Sequence, residues 1–314
     1  MSAKTGTGKY EKLLERCKSL EAIPTAVAHP CEESALTGAV EAAQAGLIEP
    51  ILVGPAAKIE ETARAANLDL GKLEIVDTAH SVESAKKAVD LVKEGRAEVL
   101  MKGSLHSDEL LSAIVSRDGL RTGRRVSHVF VMDVPTYHKV LIVTDAAINI
   151  APTLEDKVDI CQNAIDLVTS LRHDKSDKPK VAILAAVETV TTKMPATLDA
   201  AALCKMAERG QIKGGILDGP LAFDNAISAE AAKTKGIKSA VAGDPDILLV
   251  PDLEAGNILA KQLTFLANAD SAGLVLGAKV PVILTSRADS VRSRIASCAV
   301  ATLVAHARRS GSHG

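Results

Sequence analysis

Short apolar runs alternate along the chain with longer stretches in which apolar positions recur every three or four residues. The short runs are typical of buried strands, and the longer stretches are typical of amphipathic helices. The strand candidates are residues 48–53, 73–76, 99–101, 126–132, 140–144, 181–184, 215–217, 247–250, 274–276 and 280–284. The helix candidates are residues 10–19, 33–45, 81–94, 154–171, 196–208, 253–267 and 290–307. This alternation predicts an α/β protein with largely parallel sheets.

About ten strands are too many for one compact unit of ordinary size, so the 314 residues predict two lobes. The weakest point between the helix and strand patterns falls near Ile150-Ala151-Pro152. The polar stretch 173–180 is closely flanked by a helix pattern and a strand pattern, so it is interpreted as a loop within a lobe.

Composition narrows the function classes. Hydrophobic residues make up 47% of the chain, which is ample for a core, while aromatic residues make up 2%. The 37 basic and 39 acidic residues leave a net charge of −2, which together with the scarcity of aromatic residues argues against a nucleic-acid partner. The five cysteines are scattered without a CxxC pair, which is typical of a reduced, intracellular protein without a structural metal. Neither a signal peptide nor an apolar run of about 18 residues is visible, so no membrane contact is expected.

The N-terminal stretch Thr5-Gly6-Thr7-Gly8-Lys9-Tyr10 resembles the end of a phosphate-binding P-loop. Ala3 stands where the first glycine belongs, Tyr10 replaces the magnesium-binding hydroxyl residue, and no strand precedes the stretch, so a leader is the better interpretation. The chain also lacks a GxGxxG after a strand and a GxSxG elbow, which disfavours a dinucleotide fold and a hydrolase triad.

Five of the predicted strands end in polar residues. The first of these ends carries Lys102-Gly103 and His106, and the last carries Ser286-Arg287. The others carry Asp145 with Asn149, Asp218 with Asp224, and Asp252 with Asn257. Because ligands of α/β proteins bind at the carboxyl ends of strands, five such ends indicate a cleft.

Each of these ends also has a structural interpretation. Ser286-Arg287 can face water, Asp218-Gly219-Pro220 can form a turn, and Lys102-Gly103 can be a solvated loop. Arg125, with its neighbours Arg121 and Arg124, can form a solvated face. Asp289 or Ser290 can cap the last helix, whose N-terminus also favours an anion.

Six motifs in this order resemble the phosphate acetyltransferase/phosphate butyryltransferase family. The match covers nearly the whole chain after about residue 10. The motifs are Lys102-Gly103-Ser104-Leu105-His106, residues 124–130, Asp145-Ala146-Ala147-Ile148-Asn149, residues 218–224, residues 251–257 and Thr285-Ser286-Arg287-Ala288-Asp289-Ser290.

The resemblance implies two α/β lobes around an interlobe cleft, similar to the isocitrate/isopropylmalate dehydrogenase fold, in a cytoplasmic homodimer. The first lobe would comprise residues 1–148 and 278–314, and the second residues 149–277. The implied reaction is the reversible conversion of acyl-CoA and phosphate to acyl phosphate and CoA, with no cofactor beyond CoA and acyl-CoA as substrates.

The resemblance also implies roles for single residues. Ser286 would hydrogen-bond the CoA sulfur, Arg287 would hold phosphate or the oxyanion, and Asp289 is the nearest acidic candidate for a base. Ser293 occupies the position at which acetyl-type members carry a carboxylate. The implied substrate-binding residues are Lys102, Gly103, His106, Arg125, Asp145, Asn149, Asp218, Asp224, Asp252, Asn257 and Ser290.

Two questions stay open at the level of the sequence. Acetyl-CoA is the expected substrate, but the runs LMKG, SHVFVMD and TDAAINI are closer to the butyryl-type branch. The alternative to an enzyme is a non-catalytic acyl-CoA-sensing module, since similar domains occur appended to malic enzymes. The intact Ser286-Arg287 pair favours the enzyme.

Overall fold

A computed structural model describes residues 8–172, 174, 176–286 and 289–311 of the chain. Arg287, which was predicted to hold phosphate or the oxyanion, therefore lies outside the described residues.

Helices and strands alternate through most of the described chain. The helices are α1 (Lys9–Cys17), α2 (Glu33–Gln44), α3 (Ala56–Ala65), α4 (Ser81–Lys93), α5 (Ser107–Val115), α6 (Leu154–Leu171), α7 (Pro195–Glu208), α8 (Phe223–Ile227), α9 (Ala229–Thr234), α10 (Leu253–Phe265) and α11 (Val291–Arg309). The strands are β1 (Ile23–Ala28), β2 (Ile48–Gly54), β3 (Glu74–Asp77), β4 (Val99–Lys102), β5 (Ser127–Asp133), β6 (Leu141–Thr144), β7 (Lys180–Leu184), β8 (Ile216–Leu221), β9 (Ile247–Leu249), β10 (Asp270–Leu276) and β11 (Val282–Ile283). The predicted α/β class is confirmed.

The chain forms two compact units. The split unit comprises residues 10–124 and 272–314, and the inserted unit comprises residues 125–271 together with the described residues 8 and 9. The C-terminal segment therefore belongs with residues 10–124. The sequence placed the boundaries at 148/149 and 277/278 instead. Residues 125–148 belong to the inserted unit because β5 pairs with β6, and β6 pairs with β9 in the same unit.

The split unit contains a sheet with the strand order β3-β2-β1-β4-β11-β10. Its first five strands are parallel, and β10 runs antiparallel to β11. The sequence prediction missed β1, although this strand lies between β2 and β4. Leu100 and Met101 of β4 face Val282 and Ile283 of β11 in register, so Lys102 and Leu284 leave the sheet at the same carboxyl edge.

Helix α11 packs against α2, β4 and β11 in the split unit. All residues from Ser293 to Ala305 are buried. A helix that is buried on all sides needs apolar or small residues all round, and the run IASCAVATLVA supplies them. The helix is therefore a core element, and its first turn follows directly on the predicted catalytic segment.

The inserted unit contains a sheet with the strand order β5-β6-β9-β7-β8. Strands β5 and β6 are antiparallel, and the other pairs are parallel. Its core includes fully buried side chains from three neighbouring strands, among them Val143, Ala182 and Leu248. The remaining predicted site residues belong to this unit. Arg125 precedes β5, Asp145 and Asn149 follow β6, Asp218 lies on β8, Asp224 lies on α8, and Asp252 and Asn257 lie at the start of α10.

Candidate active site

The carboxyl ends of β1 and β4 are joined tightly in the split unit. The Gly103 N–H donates to the Ala28 carbonyl at 2.8 Å, and the Ser104 N–H donates to the His29 carbonyl at 2.8 Å. A Cβ on Gly103 would lie 2.3 Å from the Ala28 oxygen, so only glycine fits this approach. The bond from the Ser104 Oγ to the His29 carbonyl, at 2.7 Å, fixes the loop further.

Lys102 is buried at this edge, with 6% of its surface exposed. Its Nζ donates to the Gly103 carbonyl at 3.4 Å. The interpretation of Lys102 as part of a solvated loop is therefore wrong.

His106, in contrast, is exposed at the start of α5, where its backbone N–H donates to Glu109 Oε2 at 2.8 Å. The hydrogen bond from Ser81, and secondarily the one from the His106 N–H, lower the pKa of Glu109.

The segment after β11 holds Ser286 by its backbone. The Ser286 N–H donates to Asp289 Oδ2 at 2.6 Å. The Ser286 carbonyl accepts from the Asp289 N–H at 3.1 Å and from Arg294 Nη2 at 3.0 Å. Both polar groups of the Ser286 backbone are thus occupied, and its side chain lies at an exposed position.

Ser290, and not Asp289, caps helix α11. The Ser290 Oγ accepts from the Ser293 N–H at 3.2 Å. Of the two cap candidates in the sequence, Asp289 is therefore excluded, because its carboxylate is committed to the Ser286 N–H three residues earlier. The Ser293 Oγ lies 3.2 Å from the Ser290 Oγ, and Ser293 is buried, so this serine belongs to the first turn of the helix.

Arg294 is a site residue that the sequence did not indicate. Its side chain is buried, with 3% exposed, and Nη1 donates to Thr285 Oγ1 at 3.0 Å. Burial lowers the pKa of the guanidinium, and the negative charge of Asp289 acts in the opposite direction. The only available signal was an arginine at the start of an otherwise apolar helix, which is ordinarily interpreted as a solvated helix end.

Asp145, Asn149 and Arg125 form one hydrogen-bonded chain in the inserted unit. Asp145 is 2% exposed and accepts from four backbone N–H groups, which are those of His128, Ala147, Ile148 and Asn149. It also accepts from Asn149 Nδ2 at 2.6 Å. The Asn149 Oδ1 then accepts from Arg125 Nε at 2.8 Å, and Arg125 pairs with Asp156 at 3.4 Å. Arg125 is therefore partnered on this unit, and its side chain is also 53% exposed, as the solvated-face interpretation predicts.

Helix α10 packs directly on this chain of residues. A Cβ on Gly256 would lie 2.6 Å from the Asp145 carbonyl oxygen, so glycine is required there. Asn257 Nδ2 donates to the Ala146 carbonyl at 3.1 Å, and Asp252 caps α10 by accepting from the Ala255 N–H at 2.8 Å. Asp145, Asn149, Asp252 and Asn257 are therefore brought together, and most of their side-chain hydrogen bonds are directed to the backbone.

Asp218 and Asp224 lie apart from that group, on β8 and α8 at the other edge of the inserted sheet. Asp218 Oδ1 accepts from the Gly219 N–H at 2.9 Å, and the Gly219-Pro220 peptide is cis. Asp224 is half exposed and pairs with Lys235 at 3.4 Å. The turn interpretation of Asp218-Gly219-Pro220 is wrong, because all three residues lie within strand β8, where Asp218 pairs with Ala182 of β7.

The described residues lack two kinds of feature. They contain no group of three or more His, Cys, Asp or Glu side chains that could hold a metal ion. Among the helices formed by these same residues, none is both long enough and apolar enough to cross a membrane.

Comparison with known proteins gives the family. A sequence profile described as phosphate acetyl/butaryl transferase matches residues 81–302. The chain is 63% identical over 302 residues to a phosphate acetyltransferase of Rhizobium meliloti, which covers 96% of this chain and 95% of that protein. It is 43% identical over 297 residues to a phosphate butyryltransferase of Clostridium beijerinckii (strain ATCC 51743 / NCIMB 8052), which covers 94% of this chain and 97% of that protein.

A solved structure agrees with these matches. The crystal structure of a branched-chain phosphotransacylase from Enterococcus faecalis V583 has a TM-score of 0.76 and 30% sequence identity. The match covers 90% of this chain and 99% of that one. The profile spans more than half of the chain, and the motifs from Lys102 to Ser290 resemble the same family. This chain therefore belongs to the phosphate acetyl/butaryl transferase family.

Proposed function

We propose that this chain transfers an acyl group from acyl-CoA to phosphate, and in reverse from acyl phosphate to CoA, with acetyl-CoA as the preferred substrate. The observation that carries the proposal is the position of Ser286 after β11 in the split unit, where its backbone is held by Asp289 and Arg294. The 63% identity to a phosphate acetyltransferase, against 43% to a phosphate butyryltransferase, supports the acetyl preference.

The proposed reaction joins a phosphate oxygen to the thioester carbonyl carbon and breaks the bond between that carbon and sulfur. Negative charge develops first on the carbonyl oxygen and then on the sulfur, which leaves as the CoA thiolate. A donor whose position is fixed beforehand stabilises such charge without reorganisation. Ser286 suits this role because its backbone is fixed on both sides, so its hydroxyl can be directed to the sulfur.

Arg287 is proposed to hold the attacking phosphate or the oxyanion, on the strength of the family motif. A planar guanidinium binds two phosphate oxygens at once, which an ammonium group cannot do. The buried Lys102 is proposed to add positive charge at the neighbouring strand end. Gly103, His106 and Ser290 are proposed to line the same edge of the split unit.

We further propose that no protein carboxylate acts as a strong base. Asp289 is committed to the Ser286 N–H, and position 293 carries a hydroxyl instead of a carboxylate. Phosphate is partly dianionic near neutral pH, since its second pKa lies near 7, so it can attack without losing a further proton. Holding phosphate and thioester in attack geometry then supplies much of the acceleration.

In the inserted unit, Arg125 is proposed to bind a phosphate group of the substrate. Its guanidinium is oriented by Asn149, which the buried Asp145 holds in turn. Asp252 and Asn257 are proposed to support the same loop through α10. Asp218 and Asp224 are proposed to contribute hydrogen bonds to substrate from β8 and α8.

The remaining proposals concern the cell and the assembly. We propose that the enzyme uses no metal or other cofactor, and that it works as a cytoplasmic homodimer without nucleic-acid or membrane partners. All five cysteines are free thiols, which suits a reducing compartment. Ile258, Phe265 and Leu266 at α10 are more than half exposed, which supports contact with a second copy.

A coupled assay tests the function. Free thiol released from acetyl-CoA should depend on added phosphate, and acetyl phosphate should appear in equal amount. Comparison of kcat/KM for acetyl-, propionyl- and butyryl-CoA decides the acyl preference. Binding of acetyl-CoA without phosphate-dependent thiol release would contradict the enzyme proposal, and a higher kcat/KM for butyryl-CoA would contradict the acetyl preference.

A further inference from the structure

A buried positive charge lies directly behind the proposed catalytic serine. Arg294 is 3% exposed and belongs to the first turns of α11, where every residue from 293 to 305 is buried. An isolated charge in such a place is strongly unfavourable unless hydrogen bonds and nearby opposite charge offset the loss of water. The partners of the guanidinium therefore indicate what it stabilises.

Both hydrogen-bond partners of the guanidinium belong to the segment that carries Ser286. Nη1 donates to Thr285 Oγ1, and Nη2 donates to the Ser286 carbonyl, each at 3.0 Å. The two donors of one rigid fork thus hold two consecutive residues. Asp289, whose carboxylate binds the Ser286 N–H at 2.6 Å, adds opposite charge on the other side of the segment.

The methylene stem of Arg294 is fixed by α2. A Cβ built on Gly38 would lie 2.8 Å from Arg294 Cδ, so the stem passes directly over the Gly38 backbone. A larger residue at position 38 would displace the stem and, with it, the guanidinium. Arg294 is therefore held between a core helix and the main chain of Ser286.

We propose that Arg294 is a positioning residue for acyl transfer, which fixes the Thr285 side chain and the Ser286 main chain so that the Ser286 hydroxyl keeps its direction towards the reacting sulfur. The proposal rests on the proposed function. Arg294 acts through Ser286 and does not itself contact substrate, so its loss should lower kcat more than it raises KM.

Substitutions of Arg294 test this directly. In Arg294→Gln, kcat for acetyl-CoA and phosphate should fall by about 30- to 100-fold, the cost of a displacement of order 1 Å at a reacting centre. The KM values for both substrates should change by less than about threefold, because ground-state contacts are retained. Arg294→Lys should recover part of kcat, since an ammonium can reach one of the two acceptors but cannot reproduce the fork. Wild-type kcat in folded Arg294→Gln would overturn the proposal.

Arg308 provides the matched control on the same helix. It also donates to a backbone carbonyl, that of Lys279, at 2.8 Å, but it lies in the last turn of α11. Arg308→Gln should leave kcat unchanged, even where it lowers the melting temperature as much as Arg294→Gln does. An equal loss of kcat in both variants would reduce the role of Arg294 to general stability and would contradict the proposal.

Gly38→Ala gives a second test that leaves every proposed site residue in place. The added methyl group should displace the Arg294 stem and lower kcat, whereas in the Arg294→Ala background it has no stem to displace. The two substitutions should therefore be non-additive, with Gly38→Ala costing less in the double variant than alone. Additive losses of kcat would show that the two residues do not act through one contact. Because this cycle uses Arg294→Ala, it does not depend on the folding of Arg294→Gln.

Hydrogen–deuterium exchange separates this inference from the proposed function. Exchange in a peptide spanning residues 284–290 should be faster in Arg294→Gln than in wild type, and unchanged in Arg308→Gln. If wild type shows no phosphate-dependent thiol release, the proposed function fails, and exchange still decides whether Arg294 holds the segment. If wild type is active but exchange and kcat are both unchanged in Arg294→Gln, the positioning role alone fails.

Discussion

The Oδ2 atom of Asp289 lies 2.6 Å from the backbone nitrogen of Ser286, and the Asp289 N–H donates back to the Ser286 carbonyl at 3.1 Å. The two residues thus close a small ring of hydrogen bonds between the end of β11 and the start of α11. Asp289 therefore acts on the backbone of the proposed catalytic serine, while Ser290 caps the helix. This division of roles leads to distinct expectations for the two neighbouring positions.

Asp289→Asn should lower kcat by less than about tenfold, below the usual range for a lost base, because the amide oxygen can still accept the Ser286 N–H. Asp289→Ala should cost more, since no acceptor remains for that N–H. Steady-state kinetics on both folded variants checks this order. A hundredfold loss in Asp289→Asn, without a change in melting temperature, would identify Asp289 as a base.

Ser286→Ala should lower kcat by about 10²- to 10³-fold, the cost of removing one donor to developing charge. The melting temperature should stay close to that of wild type, because position 286 is exposed. Ser290→Ala is the matched variant, and it should cost about 0.5–2 kcal/mol of unfolding free energy through the lost cap. Turnover of Ser286→Ala at the wild-type rate would exclude a direct role for its hydroxyl.

Gly103→Ala should destabilise the split unit by about 1–3 kcal/mol, since the Cβ would meet the Ala28 carbonyl and the backbone must move. Gly123→Ala is the control, because a Cβ there meets nothing within 4 Å. Urea unfolding of the two variants gives the comparison. Equal stability of Gly103→Ala and Gly123→Ala would mean that β1 and β4 are not joined as closely as the structure shows.

Stability should decline in alkaline solution because buried thiols resist ionisation. Burial raises the pKa of Cys298 from its ordinary value of 9.0 to about 12. Below pH 9 the thiol is neutral in both states, so its contribution to stability is fully present. Between pH 9 and about 12 the unfolded chain ionises and the folded chain does not, so unfolding free energy falls by up to about 1.4 kcal/mol per pH unit for this thiol.

Urea unfolding at pH 8 and at pH 10.5 measures that loss. Cys298→Ala should lose less stability over this interval than wild type, because one resistant thiol has been removed. An identical pH dependence in the two proteins would show that Cys298 ionises as easily in the folded state as in the unfolded state.

Activity should survive dialysis against EDTA, because the proposed reaction needs only fixed donors and two bound substrates. Phosphate-dependent thiol release should be equal before and after treatment, and equal again after magnesium or zinc is added. Loss of activity on chelation that one of these metals restores would contradict the proposal of a metal-free enzyme.

The α/β class was predictable because apolar runs and helical periodicity leave a direct mark on the sequence. Strand β1 was not, because Pro24 lacks the N–H expected of a central strand and Thr25 interrupts the apolar run. The structure resolves this conflict by using the Pro24 carbonyl, which accepts from the Glu98 N–H at 2.8 Å. The rule that proline disfavours a central strand failed at Pro24 because pairing with the neighbouring strands outweighs it.

The candidate site was predictable where chemistry lies in consecutive residues, as at residues 285–290. A site residue was not predictable where its role depends on a hydrogen-bond partner in another helix, strand or loop. The choice between Asp289 and Ser290 as cap depends on side-chain direction, which spacing does not specify. Arg294 follows the helix start by a few residues and resembles a surface arginine until its contacts with Thr285 and Gly38 are known.

The pairing of β11 with β4 also has a consequence for synthesis on the ribosome. Val282 pairs with Leu100 across more than half of the chain, and residues 125–271 of the inserted unit are translated between them. Residues 125–271 can therefore fold while the sheet of the split unit still lacks β11. Because contacts of such sequence separation form slowly and late, we expect the segment that holds Ser286 to become ordered only after residues 272–309 have left the exit tunnel. Until then, β4 pairs with β1 alone and lacks β11 on its other side, and the chain cannot turn over substrate.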